Sequence, residues 1–365
     1  MAEIRLEGVA KSFGTFTAVK GVDFTVDHGA FFVILGPSGC GKTTTLRMTA
    51  GLELPTAGRI LLDGEDVTAL PASARDIAFV FQLFALYPHM NVRQNIGFPL
   101  KCQNYKRAEV RRSVEETARL LRINHLLDRR VGGLSGGDRQ RVALGRAIVR
   151  RPKAFLMDEP LGALDSEFRH LMCTELRELH GRIDATTVYI THDQLEAMAM
   201  ADRIAIMNQG RVEQIGTPQE IYDRPRTMFV ADFIGAPPMS FLGVHASLQR
   251  GDRSIEIDGV PVEMPEVFED RADGKLALGV RPENVSFADA SRLRGRVIGA
   301  EYLGTTQIVT VTTGSGQIKA RLPSGKPVHV GETVGLALRP DRLSLFDAVS
   351  GQALPSALYA GGQHG

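Results

Sequence analysis

One run constrains this chain more than any other: Gly36-Pro37-Ser38-Gly39-Cys40-Gly41-Lys42-Thr43, followed by Thr44. The spacing of its glycines, lysine and hydroxyls is that of a loop that wraps phosphate oxygens, and such a pattern carries meaning only between a buried strand and a helix. Both flanks are present. Phe31, Phe32, Val33, Ile34 and Leu35 form a short run with no polar face, as in a strand covered on both sides, and residues 43–50 suit a helix. Backbone N–H groups along Gly36 to Thr44, Pro37 excepted, would converge on the phosphates, and the helix N-terminus would add its dipole. Lys42 would reach the terminal phosphates, and the Thr43 hydroxyl would ligate magnesium. Cys40 reads as filler, although the neighbouring lysine and helix end would favour its thiolate.

A second element is the apolar run 154–157, which ends abruptly in Asp158 and Glu159. After a phosphate loop, an acid at the end of a neighbouring strand is expected to hold the magnesium shell, and a second to polarise the attacking water. Asp158 takes the first role and Glu159 the second. His192 follows another apolar run, 188–190, and is placed to sense the terminal phosphate.

The rest of the chain supports a sheet wrapped by helices. Strands are expected at residues 4–9, 22–26, 31–35, 154–157 and 188–190, alternating with helical stretches. Between Lys106 and Ile123, the residues Val110, Val114, Ala118 and Leu121 fall on one helical stripe, with Glu115 four residues before Arg119. The first domain is therefore α/β, a parallel sheet with a helical subdomain at about 88–150. Gly235, Ala236, Pro237 and Pro238 form a boundary that neither a helix nor a central strand accepts. This places one domain at 1–235 and a β-rich domain at 236–365. Within the latter, Leu278-Gly-Val-Arg281-Pro-Glu-Asn-Val-Ser286-Phe287 returns as Leu336-Ala-Leu-Arg339-Pro-Asp-Arg-Leu-Ser344-Leu345, offset by 58 residues. Two related β halves packed together are expected.

Lysine and arginine total 43 against 42 acids, so the net charge of +1 offers no bulk attraction to nucleic acid or anionic lipid. Three scattered cysteines suit a reducing compartment better than a disulfide framework. Residues 1–13 carry no apolar leader-like run, and no stretch approaches the roughly 18 apolar residues of a spanning helix. A cytoplasmic chain, held at any membrane by other chains, is expected.

Leu134-Ser135-Gly136-Gly137-Asp138-Arg139-Gln140-Arg141 resembles the signature of ATP-binding cassette proteins, and it lies between the two nucleotide motifs as that family requires. Gln82 resembles the family's glutamine loop, the run from Leu161 to Asp165 its D-loop, and His192 its switch histidine. The resemblance covers residues 1 to about 235. It implies that Phe13 stacks on adenine, with Phe16 a rival; that Gln82, Glu159 and His192 act in hydrolysis; and that Gln82 joins Thr43 and Asp158 at magnesium. It further implies that Ser135, Gly136, Gly137 and Asp165 meet the nucleotide, the first three from a second copy. The stretch around Ala85, Tyr87 and His89, with the paired β segments, is similar to ATPase subunits of bacterial importers for oligosaccharides, polyols or glycerol phosphate, which carry an oligonucleotide/oligosaccharide-binding (OB) type regulatory domain. That resemblance implies an ATPase dimer using ATP and Mg2+ beneath two permease subunits, fed by an extracytoplasmic solute-binding protein, peripheral to the cytoplasmic face of the plasma membrane, and free of nucleic acid. Asp138 and Gly162 depart from the usual glutamine and serine. The alternative is a DNA-repair or chromosome-maintenance ATPase on the same cassette. Residues 105–151 do hold 13 basic against 5 acidic side chains, but only 92 residues separate Lys42 from Ser135, too few for the long coiled coil such proteins commonly carry.

Overall fold

A computed structural model describes residues 2–82, 85–162, 166–183 and 185–360. The chain forms two compact units, Met1–Pro218 and Gln219–Gly365.

In the first unit, β1 (Ile4–Phe13), β2 (Phe16–Val26), β4 (Ala57–Leu62) and β5 (Glu65–Asp66) make an antiparallel sheet in the order β2-β1-β4-β5. The second sheet contains β3 (Phe31–Leu35), β6 (Ile77–Val80), β7 (Ala154–Asp158), β8 (Thr186–Thr191), β9 (Arg203–Asn208) and β10 (Arg211–Gly216). Its order is β10-β9-β3-β8-β7-β6, parallel except for the β9–β10 hairpin. Helix α1 (Lys42–Thr49) and the antiparallel sheet cover one face. There Leu46, Met48, Ile4, Leu6 and Ile60 pack on Phe32, Ile34, Leu156 and Ile190, and Phe24 stacks on Phe32 at 5.2 Å. Every residue of β3 is buried, because both faces of the strand are covered.

Helices α2 (Val92–Cys102), α3 (Arg107–Leu120) and α4 (Gly136–Ile148) form the helical part between β6 and β7. The expected stripe holds: Val110, Val114 and Ala118 are buried on α3, and Leu121 caps it. The expected Glu115–Arg119 pair is not the one found. Glu115 turns the other way, to Arg111 at 3.0 Å and Arg93 at 3.4 Å. The β7 carboxylates are followed by α5 (Ser166–His180), and β8 by α6 (Gln194–Met200). The first two strands are longer than the 4–9 and 22–26 expected from apolar alternation. Pairing with each other carries them through polar residues to the Phe13–Phe16 turn.

The second unit opens with the short helices α7 (Pro218–Asp223) and α8 (Met228–Phe233). The sequence places residues 219–235 with the first domain, but here they belong to the second unit. The reason is Arg281, which is 2% exposed. Its guanidinium donates to the carbonyls of Tyr222, Ala231 and Ile234 and lies 4.2 Å from the Tyr222 ring, and the Tyr222 hydroxyl donates to Glu283 at 2.7 Å. A buried cation whose acceptors all sit on 222–234 makes those residues one body with the strands.

The remainder is all-β: β11 (Ser240–Leu248), β12 (Ser254–Ile257), β13 (Val260–Glu263), β14 (Arg271–Val280), β15 (Val285–Phe287), β16 (Arg294–Tyr302), β17 (Thr306–Thr313), β18 (Gly316–Pro323), β19 (Thr333–Leu338) and β20 (Ser344–Asp347). The sequence repeat is a structural one. β14 of the first copy pairs with β20 of the second, Leu278 facing Leu345, while β15 pairs with β19, Phe287 facing Leu336. Each pair is the other shifted by 58 positions, so the two halves exchange strands.

Candidate active site

The four segments that carry the sequence motifs leave neighbouring strands. In the order β3-β8-β7-β6 all four run parallel, so the phosphate loop, His192, the Asp158–Glu159 pair and Gln82 emerge along one edge. Carboxyl ends of parallel strands are where α/β sheets bind ligands.

Within the phosphate loop the glycines are required by space. A Cβ at Gly36 would lie 2.2 Å from the Met207 carbonyl oxygen; one at Gly41 would lie 2.6 Å from that of Ala18, and Gly41 has φ +105° at the cap of α1. Ser38 and Gly39 are exposed, Pro37, Thr43 and Thr44 half-buried. Lys42 is buried, its ammonium donating to the carbonyls of Gly36 at 2.8 Å and Pro37 at 3.0 Å, inside the loop's curve. Cys40 is not a poised thiolate. Burial pushes its thiol up despite the nearby Lys42, so the filler reading stands. At the far end of α1 the buried Arg75 donates to the carbonyls of Met48 and Thr49, closing the helix that the loop opens.

The Thr43 hydroxyl donates to Asp158 Oδ1 at 3.0 Å. Burial raises the Asp158 carboxyl, offset in part by Thr43 and by the nearby Arg47 and Lys42, so the pair is a partly desolvated, oxygen-only donor set. Such a set fits magnesium, which takes one or two protein oxygens and fills its remaining positions with water and substrate phosphates. Among the described residues no cluster of three or more His, Cys, Asp or Glu forms a self-sufficient cage.

Glu159 stands at φ +44°, a left-handed conformation that costs a non-glycine residue about 1 kcal/mol or more. Its N–H donates to the Ile190 carbonyl at 3.0 Å, and its own carbonyl accepts from Gly162 N at 3.2 Å. This turn swings the side chain between two neighbours: Gln82 Nε2 donates to Glu159 Oε2 at 3.3 Å, and His192 Nδ1 lies 3.2 Å from the same oxygen. The structure thus brings Gln82, Glu159 and His192 together, and Thr43 with Asp158. A carboxylate held by an amide and an imidazole can accept a proton from water and pass it on.

Ser135 is elsewhere. It caps α4, accepting from Asp138 N at 3.2 Å and donating to Asp138 Oδ2 at 2.8 Å, and Arg141 approaches Asp138 Oδ1 at 3.5 Å. Gly136 and Gly137 form the first turn of that helix. Phe13 and Phe16 face each other at the end of the β1–β2 hairpin, both exposed, with the Lys11 ammonium 4.9 Å from the Phe13 ring. Asp165 lies outside the described residues. At Gly162 an added Cβ would make only ordinary contacts, the nearest at 3.5 Å, so nothing steric demands glycine there.

Beside Gln82 the segment 85–91 borders an open cavity of about 500 Å³ lined by Phe79, Phe81, Ala85, Tyr87, Phe98 and Arg146, among others. Tyr87 packs on Phe98 at 4.6 Å, Arg146 donates to the Ala85 carbonyl at 2.6 Å, and the buried Asn95 amide donates to the carbonyls of Tyr87, Met90 and Asn91.

Sequence reasoning missed the residues behind His192. Asp193 caps α6, accepting from Leu195 N and Glu196 N; Glu196 is buried and accepts from Tyr189 and Thr191 hydroxyls, both at 2.7 Å. The Asp-x-x-Glu spacing is a helix-start signal. It announces the cap but not that Glu196 turns inward.

A nucleotide-wrapping loop, a strand-end carboxylate pair and a capped signature helix on this sheet order define an ATP-binding cassette ATPase. The ABC transporter family model matches residues 19–162 and the TOBE domain model residues 278–346. The sulfoquinovosyl glycerol transport ATP-binding protein SmoE of Agrobacterium fabrum is 44% identical over 97% of this chain and 100% of its own. The sn-glycerol-3-phosphate import ATP-binding protein UgpC of Cereibacter sphaeroides is 44% identical, again over 97% and 100%. The solved dimeric bacterial ABC transporter cassette MJ0796 is 31% identical with a TM-score of 0.53, covering 59% of this chain and 98% of its own. This chain belongs to the ABC transporter family as an ATP-hydrolysing, nucleotide-binding subunit. These relatives give no support to the DNA-repair alternative.

Proposed function

We propose that the chain powers import of a polyhydroxylated solute, a sugar, polyol or glycerol phosphate, as a homodimeric ATPase seated on a permease pair at the cytoplasmic face of the membrane. The observation that carries the catalytic part is the convergence of Gln82 and His192 on one oxygen of Glu159. The solute class rests on the full-length likeness to the two import proteins named above. No helix of the described residues is long and apolar enough to cross a membrane, which is consistent with other chains holding it there.

In this reading Gly36–Thr44 wraps the phosphates and Lys42 releases the loop carbonyls to pair with phosphate oxygens. Thr43, Asp158 and the Gln82 carbonyl oxygen hold magnesium, which when bound neutralises charge on the phosphates. Glu159 takes the proton of the attacking water, and His192 fixes the carboxylate and reads the terminal phosphate. Phe13 or Phe16 stacks on the base. The signature residues Ser135, Gly136 and Gly137 of a second copy, with Asp165, complete the site, so that binding energy closes the dimer and hydrolysis reopens it. The domain after residue 235 regulates. An extracytoplasmic solute-binding protein feeds the permeases, and the cavity at Ala85 and Tyr87 receives them.

The test is purification of the chain from its native membrane, followed by reconstitution in vesicles. Two permeases should co-purify, Ala85→Cys should crosslink to them, and glycerol phosphate or disaccharide uptake should require ATP on the side of this chain. Recovery without permeases, or uptake indifferent to ATP, would overturn the proposal.

A further inference from the structure

Behind the hydrolytic edge lies a set of charged side chains that the reaction as described does not use. Arg169, in the first turns of α5, places Nη1 3.2 Å from Asp193 Oδ2 and Nε 3.5 Å from Glu196 Oε1. Both carboxylates lie just after His192, Asp193 next to it and Glu196 in the first turn of α6. Asp193 follows His192 directly, caps α6, and donates its own N–H to Thr191 Oγ1 at 2.9 Å. The Thr191 hydroxyl in turn donates to Glu196 Oε2, where the Tyr189 hydroxyl also donates. The residues on either side of His192 are therefore tied, through one carboxylate each, to a single guanidinium on another helix.

We propose that Arg169 is a positioning residue for hydrolysis: its fork clamps Asp193 and Glu196, fixes the Thr191–His192–Asp193 loop to α5, and so sets the approach of His192 to Glu159. The inference rests on the reading of His192 and Glu159 given above. Three observations carry it. Arg169 donates a hydrogen bond to Asp193 through Nη1 and forms an ion pair with Glu196 across 3.5 Å, so one planar group faces two carboxylates at once. Glu196 is 4% exposed, and burial raises its carboxyl, so a facing cation compensates a charge the interior otherwise opposes. The clamped residue is next in sequence to His192, whose Nδ1 is 3.2 Å from Glu159, and displacements of about 1 Å at such a contact cost about a hundredfold in rate.

The experiment uses the full chain: kcat and KM for ATP, ATP affinity and thermal melting for Arg169→Met, Arg169→Lys, Asp193→Asn, His192→Ala and the double variant Arg169→Met/His192→Ala. Arg169→Met should lower kcat roughly tenfold while KM and ATP affinity stay within about twofold, because the lost contact aligns rather than binds. Arg169→Lys should recover part of the loss, and Asp193→Asn, which keeps the cap but loses the charge, should fall between. In the His192→Ala background Arg169→Met should cost nothing further in kcat while still lowering the melting temperature, since the residue acts through His192. Additive kcat losses in the double variant, or single-variant losses that appear in ATP affinity instead, overturn the clamp while leaving His192 in place. Wild-type turnover in His192→Ala is a separate outcome that removes the underlying reading, and the clamp with it.

Discussion

Asp138 replaces the residue that the cassette signature usually carries, and the structure supplies the quantities that decide what it does. Its carboxylate bends back onto its own helix, where Oδ2 accepts from the Ser135 hydroxyl at 2.8 Å and Oδ1 lies 3.5 Å from Arg141. An anion in the first turn together with a filled cap is worth about 0.5 to 1 kcal/mol. For a unit of this size that is about 1 to 4 °C in melting temperature. A carboxylate aimed instead at the partner copy's nucleotide, ~4 Å from a phosphate at an effective dielectric of 20, would repel it by about 4 kcal/mol, roughly three orders of magnitude in dimer affinity. Asp138→Asn and Asp138→Gln both remove the charge. With the carboxylate engaged by Ser135 and Arg141, both should lower the melting temperature slightly and leave ATP-driven dimerisation within a few-fold. The assay is dimerisation against concentration of a slowly hydrolysed ATP analogue, at low and high salt. Closure tightened by a hundredfold or more at low salt in both variants would refute the reasoning.

Burial raises the Asp158 carboxyl, so its ionised form costs the fold stability at neutral pH, a cost that fades as pH falls toward the ordinary value of 3.8. Asp158→Asn should therefore raise the melting temperature of the nucleotide-free chain at pH 7, by a margin that narrows toward pH 4, and lower hydrolysis at least tenfold; an unchanged or lower melting temperature at pH 7 counts against it. Burial also lowers the imidazolium pKa of His180, whose ring nitrogens engage Thr187 and the Gly29 carbonyl. The unfolded chain takes up that proton first, so this stability is present above about 6.5 and is lost as pH falls through the depressed value; His180→Gln should flatten the stability profile there, and an unaltered slope removes His180 as its source. Arg281→Met leaves three carbonyls, two of them buried, without their donor and should destabilise the second unit by about 2 to 4 kcal/mol, read by denaturant unfolding. A loss below about 0.5 kcal/mol would contradict the account of why 219–235 folds with that unit.

What the sequence showed depended on how local the physics was. The phosphate loop and the all-apolar run before it are contiguous, and both lie where their spacing put them. The repeat at Leu278 and Leu336 announced two related halves, and the strand exchange between Leu278 and Leu345 is its three-dimensional form. The domain break was less legible. Gly235 through Pro238 is a true irregularity, but the bonds of Arg281 to Tyr222, Ala231 and Ile234 span about 50 residues or more and leave no local trace. Periodicity likewise named the α3 stripe correctly and mispaired Glu115, because Arg93 approaches it from another helix. The edge that gathers Gln82, Asp158, Glu159 and His192 was legible as separate motifs. The strained turn at Glu159 that gathers Gln82 and His192 onto one oxygen was not, since it follows from the order of the strands.

The central claim is that Glu159 is the base of an ATPase whose phosphate loop binds independently of it. The most direct measurement compares ATP affinity, ATP-dependent dimerisation and turnover of the full chain in wild type, Glu159→Gln and Lys42→Ala. Glu159→Gln should keep near-wild-type ATP affinity, accumulate as a closed dimer and turn over at least roughly a hundredfold more slowly, whereas Lys42→Ala should lose nucleotide affinity. Wild-type turnover in Glu159→Gln would contradict the account.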